Sequence, residues 1–172
     1  MKFGSYKIDL EIQLFDRNLI KLSLATTADF FEIKHFLKQH KESRANRSDL
    51  IYIVRYHTRL IGLARLVQMR DTIESQYWLR GLFIETDFRQ RRLATHLLDL
   101  MNSDLKSRHN KFEIFAFSYV HLKQFYEENS FHSIRLSDLP LSLQNTYRNA
   151  LKQGKNWLCM RFIHSMNPTQ KT

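Results

Sequence analysis

The feature that most limits the fold is how the spacing of apolar residues changes along the chain, from a period of two to helical spacing and back. In residues 19 to 25, LIKLSLA, apolar and polar side chains alternate as on a half-buried strand. The next stretch, TTADFFEIKHFLKQH, puts Phe30, Ile33, Phe36 and Leu37 at helical spacing, with Thr27 the residue expected to cap it. DLIYIVRYHTRLIGLARLVQ carries β-branched and aromatic residues on both sides of the short polar break YHTR, the pattern of a hairpin. SQYWLRGLFIET is expected to be a longer strand, and the helix after it carries Leu93, Leu97, Leu100 and Met101 on one face. KFEIFAF is expected to be a short strand. SYVHLKQFYEEN is expected to be a helix bearing Leu122, Phe125 and Tyr126, and Asn129 suits the left-handed position that ends it. SFHSI resumes extended chain. Pro140 and Gly154 bracket a helix over 140 to 153 with Leu143, Tyr147, Ala150 and Leu151 along one face, and WLCMRFI supplies the last strand. A chain patterned this way folds as mixed α/β, with an antiparallel first half and a strand-helix-strand-helix-strand second half.

No repeat, linker or low-complexity segment interrupts the pattern, so a single domain is expected over residues 1 to 166, followed by a flexible tail at 167 to 172. With 43% hydrophobic residues and only 4 glycines and 2 prolines, disordered and fibrous classes are excluded. Lysine and arginine number 27 against 17 acids, and the formal charge of +10 attracts phosphates and other polyanions. The single cysteine, Cys159, cannot close an internal disulfide and reads as a buried small hydrophobe. The first residues alternate instead of forming an apolar leader, and no stretch reaches roughly 18 apolar residues, so a cytoplasmic location without a membrane partner is expected. The 8 histidines show no metal-binding spacing with acids or cysteine, and no metal is expected.

One stretch stands apart. FIETDFRQRRLATHLLDLM runs from an apolar strand end through a basic turn lacking glycine and proline into an amphipathic helix. A helix that starts in a tight turn after a buried strand presents free N–H groups and the positive end of its dipole, a ready seat for phosphate oxygens. The residues alone leave two readings open. Either the backbone of residues 90 to 95 cradles a pyrophosphate with Arg89, Arg91 or Arg92 at its outer oxygens, or the arginines form a solvated basic turn.

LFIETDFRQRRLATHLL resembles the acyl-CoA-binding motif of the GNAT acetyltransferase superfamily, an L-x-V strand end, an R/Q-x-x-G-x-G/A loop and a leucine-bearing helix. Leu82 and Ile84 match the strand, and Arg89, Gln90, Arg91, Arg92, Leu93 and Ala94 match the loop. Arg92 stands where the family has its central glycine, and a side chain there is expected to keep a negative φ and turn away from the pyrophosphate. FAFSYVHLKQFYEENSF is similar to the family's second segment: Phe125, Tyr126 and Phe131 match its signature, and Ser130 replaces its glycine. LIGLARLVQ precedes both, where the family has its third strand, and the resemblance covers residues 19 to 163.

The resemblance implies a central mixed sheet of about six to seven strands, with a splayed parallel pair in the middle and helices on the flanks. It implies acetyl-CoA as co-substrate, with Leu82, Phe83 and Ile84 offering the strand edge to pantetheine and Arg89 to Thr95 holding the pyrophosphate. Ser118 stands where many relatives place an asparagine near pantetheine. The acceptor amine would attack the thioester directly in a ternary complex, with Tyr126 the catalytic acid for departing CoA. No carboxylate occupies the usual strand position, which holds Arg80 and Gly81; Glu74 and Glu85 are expected to be solvated surface acids. Arg80 is expected beside the acceptor path, where it favours an acceptor bearing an anion, and Tyr147 on the acceptor wall. The acceptors implied are a small-molecule, peptide or aminoacyl-tRNA amine, and the assembly a monomer or homodimer. A second function class is a non-catalytic nucleic-acid-binding module in which RQRR neutralises phosphates and affinity falls steeply with salt.

Overall fold

The alternation after residue 19 forms strand β1 (Ile20–Leu24), and the helical spacing after it forms α1 (Phe30–Gln39), in a computed structural model that describes residues 15–69 and 75–165. Glu74 and the tail at 167 to 172 lie outside the described residues. The N-cap of α1 is Asp29 and not the expected Thr27. Thr26, not Thr27, opens a short 3-10 turn, and its amide and hydroxyl both donate to the Asp29 carboxylate at 2.8 Å. Those bonds, the backbone one foremost, hold the Asp29 carboxyl below its usual range.

Strands β2 (Leu50–Tyr56) and β3 (Arg59–Gln68) form the expected hairpin, turned at His57 with φ 53°. There follow β4 (Gln76–Ile84), α2 (Leu93–Arg108), β5 (Lys111–Tyr119), α3 (Lys123–Glu128), β6 (His132–Ser133), α4 (Leu141–Lys152) and β7 (Trp157–Ser165). Among the described residues the seven strands lie in the order β1-β2-β3-β4-β5-β7-β6, and only β4 and β5 run parallel, because α2 carries the chain back across the sheet between them.

Three local expectations change. β5 is a full strand of 9 residues, because β7 pairs along its whole length. The helix after it starts later than its pattern suggests, behind a 3-10 turn that leaves Leu122 37% exposed. The left-handed residue that ends α3 is Ser130, φ 65°, and not Asn129, which keeps φ −98° and donates from its side-chain amide to the Phe125 carbonyl at 2.7 Å. On α4, Leu143 and Ala150 face inward while Leu151 is 46% exposed.

Two-residue alternation divides the core between the sheet's faces. On one face α2 packs Leu97, Leu98 and Met101 over Tyr52, Val54 and Ile114. The opposite face carries two separate clusters. Under α1, Ile33, Phe36 and Leu37 meet Ile51, Ile53 and Leu63; under α4, Leu139 and Leu143 meet Phe115 and Cys159, the latter buried as its apolar setting implied. Among the described residues no helix is long and apolar enough to cross a membrane, and no group of His, Cys, Asp and Glu could hold a metal ion.

Candidate active site

The parallel pairing of β4 with β5 begins at Gln76↔Glu113 and stops at Leu79↔Ala116. Beyond that point β4 stays paired to β3 as far as Ile84 and β5 stays paired to β7 as far as Tyr119, but the two no longer bond to each other. A bulge marks the divergence. Arg65 of β3 faces Gly81 and Leu66 faces Leu79, so Arg80 is the extra residue, and a bulge strengthens local twist and bends its strand. The Glu85 amide donates to the Ile61 carbonyl at 2.9 Å, which turns the peptide groups of Phe83 toward β3 by alternation and those of Leu82 and Ile84 into the slot. The Phe83 ring packs instead on His40 and Phe36, with centroids 4.7 and 5.8 Å away.

Glu85 is not a solvated acid. It is 8% exposed, its carboxylate lies 2.5 Å from the Arg59 guanidinium and 3.3 Å from His40 Nε2, and these contacts tie the end of β4 to β3 and α1.

The basic turn follows. Arg89 donates from Nε to the Ile84 carbonyl at 2.9 Å, and its guanidinium lies over the Phe83 ring. Arg91 sits 4.0 Å above the Phe15 ring, its Nε buried without a partner. Gln90 and Arg92 adopt φ 60° and 62°. The negative φ expected at Arg92 is therefore overturned: arginine takes the left-handed conformation that the glycine of the motif would supply, because the turn has to point successive amides into one concavity. The amides of Gln90 through Thr95 donate to no acceptor among the described residues, and the first bond entering the helix runs from His96 to the Arg92 carbonyl. Buried Leu93 and half-buried Ala94 anchor this N-terminus in the core.

Tyr126 joins the same apolar cluster as Ile84, Leu93 and Leu82. It is 7% exposed, with the rings of Phe125 and Phe131 each 5.3 Å away edge-on, and its hydroxyl forms no hydrogen bond with a described residue. Burial pushes its pKa up to about 12, so the phenol holds its proton at neutral pH. Ser118 is buried on β5 and donates from Oγ to the Tyr119 carbonyl at 2.9 Å, which leaves its lone pairs as acceptors.

The opposite sheet face holds the residues expected near the acceptor. Exposed Arg80 lies 5.0 Å over the Trp78 ring. Tyr147 donates to the Trp157 carbonyl at 2.6 Å and packs on Phe117, so it contributes a ring and not a free hydroxyl. Arg65, which the sequence reading passed over, is 1% exposed: it donates to the Arg44 carbonyl and to Ser43 Oγ, and lies 3.6 Å from the Asp49 carboxylate. Its signal was a charged residue on the inward phase of an otherwise apolar strand. The structure thus gathers Leu82, Ile84, the turn and Tyr126 at the slot, and places Arg80 and Tyr147 across the sheet from them.

Comparison with known proteins agrees with this geometry. Among curated proteins none matches the sequence with significance. N-acetylglutamate synthase from Neisseria gonorrhoeae, solved with coenzyme A and N-acetyl-glutamate, superposes with a TM-score of 0.66 at 15% identity over 86% of this chain and 35% of its own, so the chain spans about a third of that enzyme. The ribosomal-protein-S18-alanine N-acetyltransferase from Escherichia coli gives 0.60 at 14% identity, covering 89% of this chain and 99% of its own. An Arabidopsis thaliana protein in complex with the bisubstrate analogue CoA-Ac-MVNAL gives 0.58 at 13% identity, covering 83% and 97%. Residues 23–138 match the family model of the acetyltransferase (GNAT) domain, and with the unzipped β4–β5 pair leading into a turn whose amides bond to no described residue, the chain belongs to the GNAT acetyltransferase family.

Proposed function

We propose that this protein is an N-acyltransferase that moves an acetyl group from acetyl-CoA to a primary amine by direct attack in a ternary complex. One observation carries the reading: the amides from Gln90 through Thr95, which bond to no described residue, stand at the end of a strand pair that has come apart. Main-chain N–H groups in a concave turn at a helix N-terminus suit a diphosphate, and Arg92 and Arg91 add charge beside them. The peptide groups of Leu82 and Ile84 suit the pantetheine amides, much as a sheet edge takes an added strand. Ser118 Oγ is a second acceptor on the facing strand.

Positioning supplies much of the rate in such a transfer. As the amine nitrogen bonds to the thioester carbonyl carbon, the C–S bond breaks and the sulfur needs a proton. We assign that proton to Tyr126, which is protonated and has no hydrogen-bond partner among the described residues. The neighbours solved with coenzyme A or a bisubstrate analogue support a coenzyme A thioester as the source of the acyl group. The acceptor belongs to the class of small-molecule, peptide or aminoacyl-tRNA amines.

Thermal denaturation with acetyl-CoA tests this. A ligand at about 1,000 times its Kd stabilises by ~4 kcal/mol, so the melting temperature should rise by several degrees and Arg92→Glu should shrink that rise. No rise at millimolar acetyl-CoA would falsify the assignment.

A further inference from the structure

The face of the sheet between α1 and α4 has a floor that the acyl-transfer reading does not use. Apolar packing there is interrupted: one cluster sits under α1, the other under α4, and between them lie Arg65, Arg80 and Gly81. The gap is open, since a Cβ built on Gly81 would meet no atom within 4 Å. The β-bulge delivers Arg80 to this gap, its guanidinium carbon 5.0 Å from the Trp78 ring centroid and without a carboxylate partner among the described residues. Arg65 lies behind it, near enough that Arg80's charge joins the larger effect of burial in lowering its guanidinium pKa. Asp49 is no counter-ion for Arg80, because it is buried at 2% exposure against Arg65.

The exposed guanidinium of Arg80 and the buried charge of Arg65 behind it do two things to an amine entering the open gap beside Trp78. They attract an anion on the same molecule, which the planar fork of Arg80 can bind through paired N–H donors. They also disfavour the ammonium form, so that more of the amine is neutral and nucleophilic without a base. That matters here, because the strand offers no carboxylate at the position next to the slot.

Resting on the acyltransferase reading, we infer that the acceptor is a primary amine carrying its own anionic group, a carboxylate or a phosphate, bound by Arg80 in the gap above Gly81. In the transfer the neutral amine's nitrogen forms the new C–N bond, the C–S bond breaks, CoA leaves as the thiol with the proton from Tyr126, and the surplus proton on nitrogen passes to solvent, which reprotonates Tyr126.

The test uses matched amines at saturating acetyl-CoA, reading thiol release: β-alanine against β-alaninamide, and O-phosphoethanolamine against ethanolamine. The anionic member of one pair should exceed its neutral partner in kcat/KM by about tenfold or more, the size of a charge-assisted hydrogen bond, and the pair that does so identifies the anion. Arg80→Met should abolish that preference and Arg80→Glu should reverse it, with the stabilisation by acetyl-CoA unchanged in both. Equal rates within both pairs, turnover of neither anionic amine, or a preference that survives in Arg80→Met overturns the inference. If acetyl-CoA does not stabilise the unmodified protein, the acyltransferase reading fails first and takes this one with it, and the thermal measurement shows that separately.

Discussion

At the scale of single residues, the two substitutions in the family's glycine positions were resolved by backbone and not by side chain. Arg92 and Ser130 both sit at positive φ, so each element ends or begins with the geometry that a glycine would provide. Left-handed backbone costs a non-glycine residue about 1–2 kcal/mol, and the packing of Leu93 and Phe131, 4% and 0% exposed, offsets it. In the proposed transfer Tyr126 supplies the proton to the leaving thiolate. Tyr126→Phe removes the proton donor and keeps the ring, so kcat should fall on the order of 10²-fold while acetyl-CoA still raises the melting temperature. The same hydroxyl sets an alkaline limit. Its folded pKa of about 12 exceeds the ordinary value of 10.0, so its contribution is complete below pH 10 and is lost as the pH climbs toward 12, by about 3 kcal/mol. Tyr52 and Tyr77, raised first by burial, add to the same decline. Denaturation profiles over that range should show a shallower fall for Tyr126→Phe; an unchanged slope would contradict the burial argument.

At the scale of elements, the slot depends on how β4 is held from one side only. Gly62 on β3 is the contact that allows this: a Cβ there would come within 2.6 Å of both the Phe83 carbonyl and Ile84 Cδ1. Gly62→Val should therefore destabilise by about 2–3 kcal/mol and also weaken acetyl-CoA binding, because β4 must move to make room. Denaturant midpoints together with calorimetric titration check both halves; a stable variant with normal affinity would show that the strand end is not fixed by β3. Glu85 does the complementary work, joining Arg59 and His40 so that the strand end keeps its direction where β5 has left it.

At the scale of the whole molecule, the formal charge of +10 acts through a field, whereas the amides of the turn act at contact. Raising ionic strength from about 0.1 M to 1 M shortens the screening length from about 10 Å to 3 Å, so acetyl-CoA affinity should fall several-fold yet persist. Complete loss of binding at high salt would mean that arginine charge, and not the backbone, holds the diphosphate. The order of elements, the hairpin, the faces of α1 and α2 and the location of the turn were legible in the chain, because apolar periodicity and local turn chemistry are written in neighbouring residues. The unzipping of β4 from β5, the burial of Arg65 and Glu85, the left-handed Arg92 and the open floor above Gly81 were not, because each arises where strands distant in sequence either pair or part. Periodicity determines which residues form a strand and which face of it is buried; only the assembled sheet decides where two strands stop bonding and so leave room for a ligand.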